Sequence, residues 1–222
     1  MIKKNIFIIL GIIGAILNII ADFFLGGYEP LDQKTDLTSI DFYGKAIYQS
    51  DAILISGAFL VIIATPLLAF GYYGILKNIK EDNKIMKVSL NVSLISLLIL
   101  GSIMHLLSTI MILIYKYNNS PDLVNLINNS IFLPVMILFI FSVIFLIRYI
   151  FMNILKGQSL YPRWSLLFNV LIWAAIFLLI SIPLNNVAFG NGLKTACISI
   201  GHFIMFTSLL FIKKKDSFEA LL

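Results

Sequence analysis

Six long apolar runs occupy most of this chain: Ile6–Leu25, Ala52–Tyr73, Val88–Tyr115, Ile131–Asn153, Trp164–Pro183 and Thr195–Ile212. Each is close to the roughly 20 residues that an α-helix needs to cross a hydrocarbon layer about 30 Å thick. No water is available there to pair backbone N–H and C=O groups, so only helices or closed barrels can span it. A barrel would need segments of about ten residues alternating apolar and polar, whereas Ala52–Ile63 and Ile131–Ile147 are apolar on every side. With 60% of its 222 residues hydrophobic and a mean hydropathy of +0.99, the chain does not read as a soluble globular domain. The expected architecture is an all-α, polytopic membrane bundle of six transmembrane helices, forming a single transmembrane domain over residues 1–222 with the lipid bilayer as its partner.

The basic residues set an orientation. Placing the N-terminus in the cytoplasm puts twelve of the sixteen Lys and Arg residues on the inner side, in the N-terminal segment, Lys77–Lys87, Arg148–Arg163 and Lys213–Lys215. Lys34, Lys45, Lys116 and Lys194 are then outside. The positive-inside rule therefore predicts that both termini are cytoplasmic. The net charge of +5 calls for no nucleic-acid partner, because anionic headgroups attract basic residues in short inner loops. The first run follows Lys3 and Lys4, but it is longer than a signal-peptide core and lacks a small-residue cleavage site, so it reads as a retained anchor. The lone Cys197 falls within the last run and is expected to be a packing residue.

Between the runs, Gly26–Asp51 is a long outer segment rich in Asp, with aromatic residues suited to the headgroup level; it reads as an interfacial connector or as a lid. Asn118–Ser130 reads as a polar connection in which Ser120-Pro121-Asp122 marks a turn or a helix start, and Leu184–Gly192 reads as a turn-rich outer loop. Pro134 is expected to open the fourth helix, Ser50 and Asp51 to cap the second, and Pro66 to kink it. Asn169 and Trp173 are expected to pack one turn apart on the fifth helix, Arg148 to extend toward the inner surface, and the aromatics to face lipid or the interfaces.

The informative residues are those that hydrocarbon should reject. An ionisable group within a span costs about 2.5–3.5 kcal/mol on insertion scales and marks a candidate site. Asp22, His105 and His202 qualify. At 1.5 Å per residue they lie roughly 10, 5 and 2 Å outside the midplane, so they share the outer half of the bundle. Gly11, Ala15, Asn18 and Asp22 fall on one face of the first helix, where small residues admit a close neighbour and polar ones bond across the contact. Ser102, His105 and Ser108 mark a similar face on the third helix, and Ser199 and His202 on the sixth.

Three chemistries suit this set. Two imidazoles and a carboxylate can bind zinc with one position open for water, as in a metal-dependent membrane hydrolase. They can relay protons in small-molecule or ion binding and transport. Or, with Asn18, Ser102, Ser108 and Ser199, they can form a packing network in a structural or accessory protein. No HExxH or Gly-x-Ser-x-Gly pattern is present, and no cofactor is named by the residues. Binding or transport is the favoured expectation, because three ionisable groups at similar depth exceed what packing needs.

The start GIIGAILNIIADFFLGGYEP, with its Asn18-x-x-Ala21-Asp22 motif and the spans that follow, resembles small uncharacterised six-helix membrane families of bacteria. That resemblance implies the architecture and no activity. The excess of Lys over Arg with abundant Ile and Asn resembles a low-GC bacterial proteome, and the expected location is the bacterial plasma membrane.

Overall fold

The structure, a computed structural model, describes residues 2–26, 49–118, 120–184 and 187–212. The expectations for the Gly26–Asp51 segment, for the turn at Asn185 and Asn186 and for the C-terminal tail therefore lie largely outside the described residues. The chain is all-α, with no strand among the described residues. Its helices are α1 Ile2–Gly26, α2 Asp51–Leu76, α3 Lys84–Asn118, α4 Pro121–Leu155, α5 Val170–Ser181 and α6 Ala188–Phe211. All but α5 are long and apolar enough to cross a membrane.

The fifth run departs from expectation. Arg163–Phe168 is a 3-10 helix, and the α-helix begins only at Val170. Asn169 makes the break. Its backbone is extended (φ −64°, ψ 138°), and its side-chain oxygen accepts the Leu171 N–H at 2.8 Å. Asn competes with the helical backbone for hydrogen bonds and is favoured as an N-cap, so it starts a helix here rather than packing in the middle of one. Trp173 reaches back across the break to donate its indole N–H to the Leu167 carbonyl at 3.0 Å. Twelve helical residues rise only about 18 Å, which is why α5 alone falls short of a full crossing.

Two connecting segments are helical. In the polar segment Asn118–Ser130 a helix starts at Pro121, a favoured first helical residue and one of the two expected readings of Ser120-Pro121-Asp122, and it continues through a π-turn at Asn128–Phe132. The Leu133 N–H bonds to the Asn128 carbonyl, five residues back. Pro134 lacks an N–H and its ring would strike the carbonyl four residues earlier, so the wider π-turn accommodates it. Pro134 thus sits inside α4 rather than opening it. In the Leu184–Gly192 segment, α6 already begins at Ala188. Its glycines serve contact rather than turning: a Cβ on Gly190 would strike the Leu184 carbonyl, and one on Gly192 the Phe23 ring.

Helix α1 is the centre of the packing. Each helix packs beside the next in the order α5, α6, α1, α2, α3, α4. The α1–α2 contact is backbone to backbone: a Cβ on Gly11 would lie 2.7 Å from the Gly71 Cα, and one on Gly14 would lie 2.7 Å from the Ala64 carbonyl oxygen. The same glycine pair admits the buried Phe206 ring of α6. Two apolar clusters result. One contains Ile8, Leu68, Tyr72, Leu97 and Phe206, and the other contains Leu25, Leu54, Met111, Ile112 and Val124.

Polar contacts tie each end. Lys80 N–H and Leu160 N–H bond to the Gln158 and Asn78 carbonyls, both at 2.9 Å, joining the α2–α3 and α4–α5 connections. Gly157, at φ 73°, supplies the left-handed residue that this turn requires. At the other end Ser50 caps α2 by accepting the Ile53 N–H, and Asp51 meets Lys116 Nζ at 2.6 Å and the Tyr117 hydroxyl.

If the Gly11–Gly71 contact sets the helix spacing, then Gly11→Leu must push α1 off both α2 and Phe206. A loss of about 1–3 kcal/mol is expected, read as a lowered unfolding temperature of the detergent-solubilised protein. An unchanged transition would remove this contact from the account.

Candidate functional site

Between the two apolar clusters lies a polar layer built from four helices. The small face of α1 carries Asn18 and Asp22, one turn apart and both buried. Close packing of α1 on α6 brings Asp22 to Ser199, whose hydroxyl donates to Asp22 Oδ2 at 2.6 Å. On the opposite side, His105 Nε2 approaches Asp22 Oδ1 at 3.5 Å. Helix α3 packs on α2 and α4 rather than closely against α1. The imidazole therefore reaches across a space, and that space is a cavity of about 180 Å³. Asn18, Asp22, His105, Ser199 and His202 line it together with Thr65, Thr195 and apolar residues such as Leu97, Met104 and Phe139.

The two histidines differ in kind. His202 is locked. Its Nδ1 lies 2.9 Å from the Ile198 carbonyl, which can only accept, so Nδ1 carries a proton. With the imidazole neutral, Nε2 then accepts from the Tyr72 hydroxyl at 2.7 Å. The ring also stacks on Phe206 and meets Tyr72 edge-on. Both nitrogens are engaged, so none is left to ligate a metal. Among the described residues no group of three His, Cys, Asp or Glu side chains is placed to hold a metal ion. Among the described residues His105 has only the Asp22 contact, and a quarter of its side chain is exposed. A proton can therefore sit on either member of the Asp22–His105 pair, giving carboxylate with imidazolium or carboxylic acid with imidazole, and the pair has no net charge in either form.

The supporting residues also separate. Ser199 is a direct partner of Asp22. Ser102 pairs instead with Thr65 at 2.5 Å and bonds back to the Leu98 carbonyl, tying α3 to α2. Ser108 bonds only to its own helix, at the Met104 carbonyl. Asn18 presents the informative exception: its amide oxygen is buried and has no hydrogen-bond partner among the described residues. Tyr72 and Thr65 were not singled out from the sequence, where the aromatics were expected to face lipid or the interfaces. Tyr72 is fully buried. The signal for it was a phenol hydroxyl in the last turns of a largely apolar helix, a group that needs a partner once buried.

If the Tyr72–His202 bond is structural, Tyr72→Phe leaves a buried imidazole nitrogen unpaired. A loss of about 0.6–2 kcal/mol in thermal stability is expected, on the scale of interhelical hydrogen bonds in membranes. His105→Ala, whose side chain lies in the cavity wall and is partly exposed, is expected to lower the transition less. The reverse ranking in a thermal melt would contradict the division into a fixed and a free histidine.

A family model described as a family of unknown function, DUF6796, matches residues 1–216. No curated protein and no solved structure matches the chain.

Proposed function

We propose that this chain, which belongs to the DUF6796 family, is a multi-pass protein of a cell membrane that binds a small hydrogen-bond-donating solute in the α1–α3–α6 cavity and couples it to a proton. The observation that carries this reading is Asn18, which lines the cavity one turn from Asp22 and whose buried amide oxygen has no hydrogen-bond donor among the described residues. A network built only for packing pairs its own buried groups, because leaving one unmade costs about 1–3 kcal/mol. An unmet acceptor beside a carboxylate suits an occupant that brings its own N–H or O–H groups. His105, across the cavity, supplies a second site for the proton that Asp22 would exchange when such an occupant arrives.

The membrane arrangement behind this reading is six crossings with both termini inside. Five helices are long enough by themselves. The six 3-10 residues of Arg163–Phe168 rise about 12 Å and the fifteen residues of Val170–Leu184 about 22 Å. Joined at Asn169, they suffice for one broken crossing. The basic residues concentrated at the Lys77–Lys87 and Lys156–Arg163 end support that end as cytoplasmic. On a Cys197→Ala background, a cysteine at position 118 is expected to react with an impermeant thiol reagent in intact cells. One at position 80 is expected to react only after permeabilisation. Labelling of position 80 in intact cells would invert or break this topology.

Binding is tested by thermal shift with a panel of small amines, amides and polyols at several pH values. A ligand at about 100 times its dissociation constant stabilises by about 2.7 kcal/mol. At least one member is expected to raise the wild-type transition in a pH-dependent way. Asn18→Val is expected to abolish that rise, and Asp22→Asn, nearly isosteric, to abolish its pH dependence while the protein remains folded. A panel without effect, or the same rise in both variants, would leave the polar layer a packing network.

A further inference from the structure

At the opposite end of the bundle from Asp51 and Lys116, two basic side chains lack protein partners. Arg148 lies on α4 seven residues before Leu155, about 10 Å short of the helix end. Lys156 follows at the end itself. Both are exposed, and neither has a hydrogen-bond or ion-pair partner among the described residues. They line one cavity of about 390 Å³, which also contains Glu81. That carboxylate is already engaged: Oε2 accepts the Tyr149 hydroxyl at 2.7 Å and Oε1 the Asn83 N–H at 2.8 Å. Burial alone would raise the Glu81 carboxyl, but the Tyr149 hydroxyl, the backbone amides and the nearby Lys87 ammonium outweigh it and hold the group below its ordinary value. Glu81 thus stays ionised and turned toward Tyr149. The charged residues lining the cavity are thus two cations and one anion, with Lys87 near Glu81 on its far side, so the recess is net positive.

Arg148 also borders a second cavity, of about 350 Å³, between α4 and α5. Its other walls are apolar and include Ile144, Phe151, Leu171 and Ile172. It opens beside Asn169, where the extended backbone delays the start of α5. A guanidinium therefore stands between a polar, positively charged recess and an apolar groove. This is the layout of an amphiphile with a phosphate next to an alkyl chain: guanidinium matches phosphate oxygens in pairs, and basic recesses between helices attract anionic headgroups.

We infer that these adjoining cavities bind a phospholipid with one net negative charge, its phosphate between Arg148 and Lys156 and one acyl chain in the α4–α5 groove. The net positive recess matches a phosphodiester monoanion. Glu81 disfavours headgroups that carry a second negative charge.

Native mass spectrometry of the full chain in mild detergent tests this, with phosphatidylglycerol, phosphatidylcholine and inorganic phosphate as probes. Wild-type protein is expected to retain phosphatidylglycerol over phosphatidylcholine, and excess inorganic phosphate is expected not to displace it. Arg148→Gln and Lys156→Gln are each expected to lower retention about fivefold, the value of one basic residue near an anionic headgroup. Ile172→Trp, which fills the groove and leaves both cations in place, is expected to lower it as well. Should Arg148→Gln fail to fold, Lys156→Gln at the exposed helix end still reads the charge and Arg148→Lys should keep most of the retention. Equal retention of the two lipids, or unchanged retention in Lys156→Gln and Ile172→Trp, would overturn the proposal. Displacement by inorganic phosphate would do the same, showing a free-anion site without an acyl component.

Discussion

The backbone contact of α1 with α2 and α6 is the constraint on which the rest of this bundle depends. Gly11 and Gly71 meet so closely that neither could carry a Cβ, and Phe206 fills the angle between the two helices and α6. The consequence is chemical as well as mechanical. Only because α1 lies this close to α6 can the short Ser199 side chain reach Asp22. A bulkier seam would separate the carboxylate from its donor and leave a buried anion with one partner fewer, an arrangement that costs several kcal/mol in a low-dielectric interior. Small residues in the seam and polar residues above it therefore work together.

On the other side of the layer the spacing is looser. Helix α3 is held to α2 by the Thr65–Ser102 bond, packs chiefly on α2 and α4, and reaches α1 through the His105 side chain. A tight seam on one side and a spanned gap on the other give a cavity whose walls carry a carboxylate, an imidazole and an unmet amide oxygen. His202, although it lines the same cavity, belongs to the rigid side: Tyr72 and the Ile198 carbonyl occupy both its nitrogens. Fixed and free polar groups thus lie next to each other, with the fixed ones preorganising the wall in which the free ones sit.

The fifth apolar run illustrates how a single polar residue can change an element without changing the overall pattern. The run Trp164–Pro183 is apolar throughout except for a few residues, and hydropathy reads it as one helix. Asn169 divides it, because its side chain satisfies the Leu171 amide and its own backbone turns extended. The break leaves a gap beside α4 into which Arg148 and apolar side chains project. Pro134 shows the converse case. A residue that breaks helices is carried inside α4 by a π-turn, because the neighbouring backbone can shift its hydrogen bonds by one residue.

Hydropathy alone determined that the chain is all-α and roughly where its five long helices lie, although it started α4 ten and α6 seven residues too late, and it marked Asp22, His105 and His202 as ionisable groups within apolar runs. These are properties of single segments, set by backbone hydrogen bonding and the expense of placing charge in hydrocarbon. The sequence also marked the glycine-containing face of α1 as a contact surface, since helical spacing places those residues together. It could not say which helix would meet that face, nor separate glycines that turn the chain from those, such as Gly190 and Gly192, that only admit a neighbour. It could not rank the two histidines either. Their difference lies in Tyr72, 130 residues from His202 in sequence, and in the gap that leaves His105 facing Asp22. Hydrogen-bond partnership between distant segments, and the space left where two helices do not touch, exist only once the helices are packed.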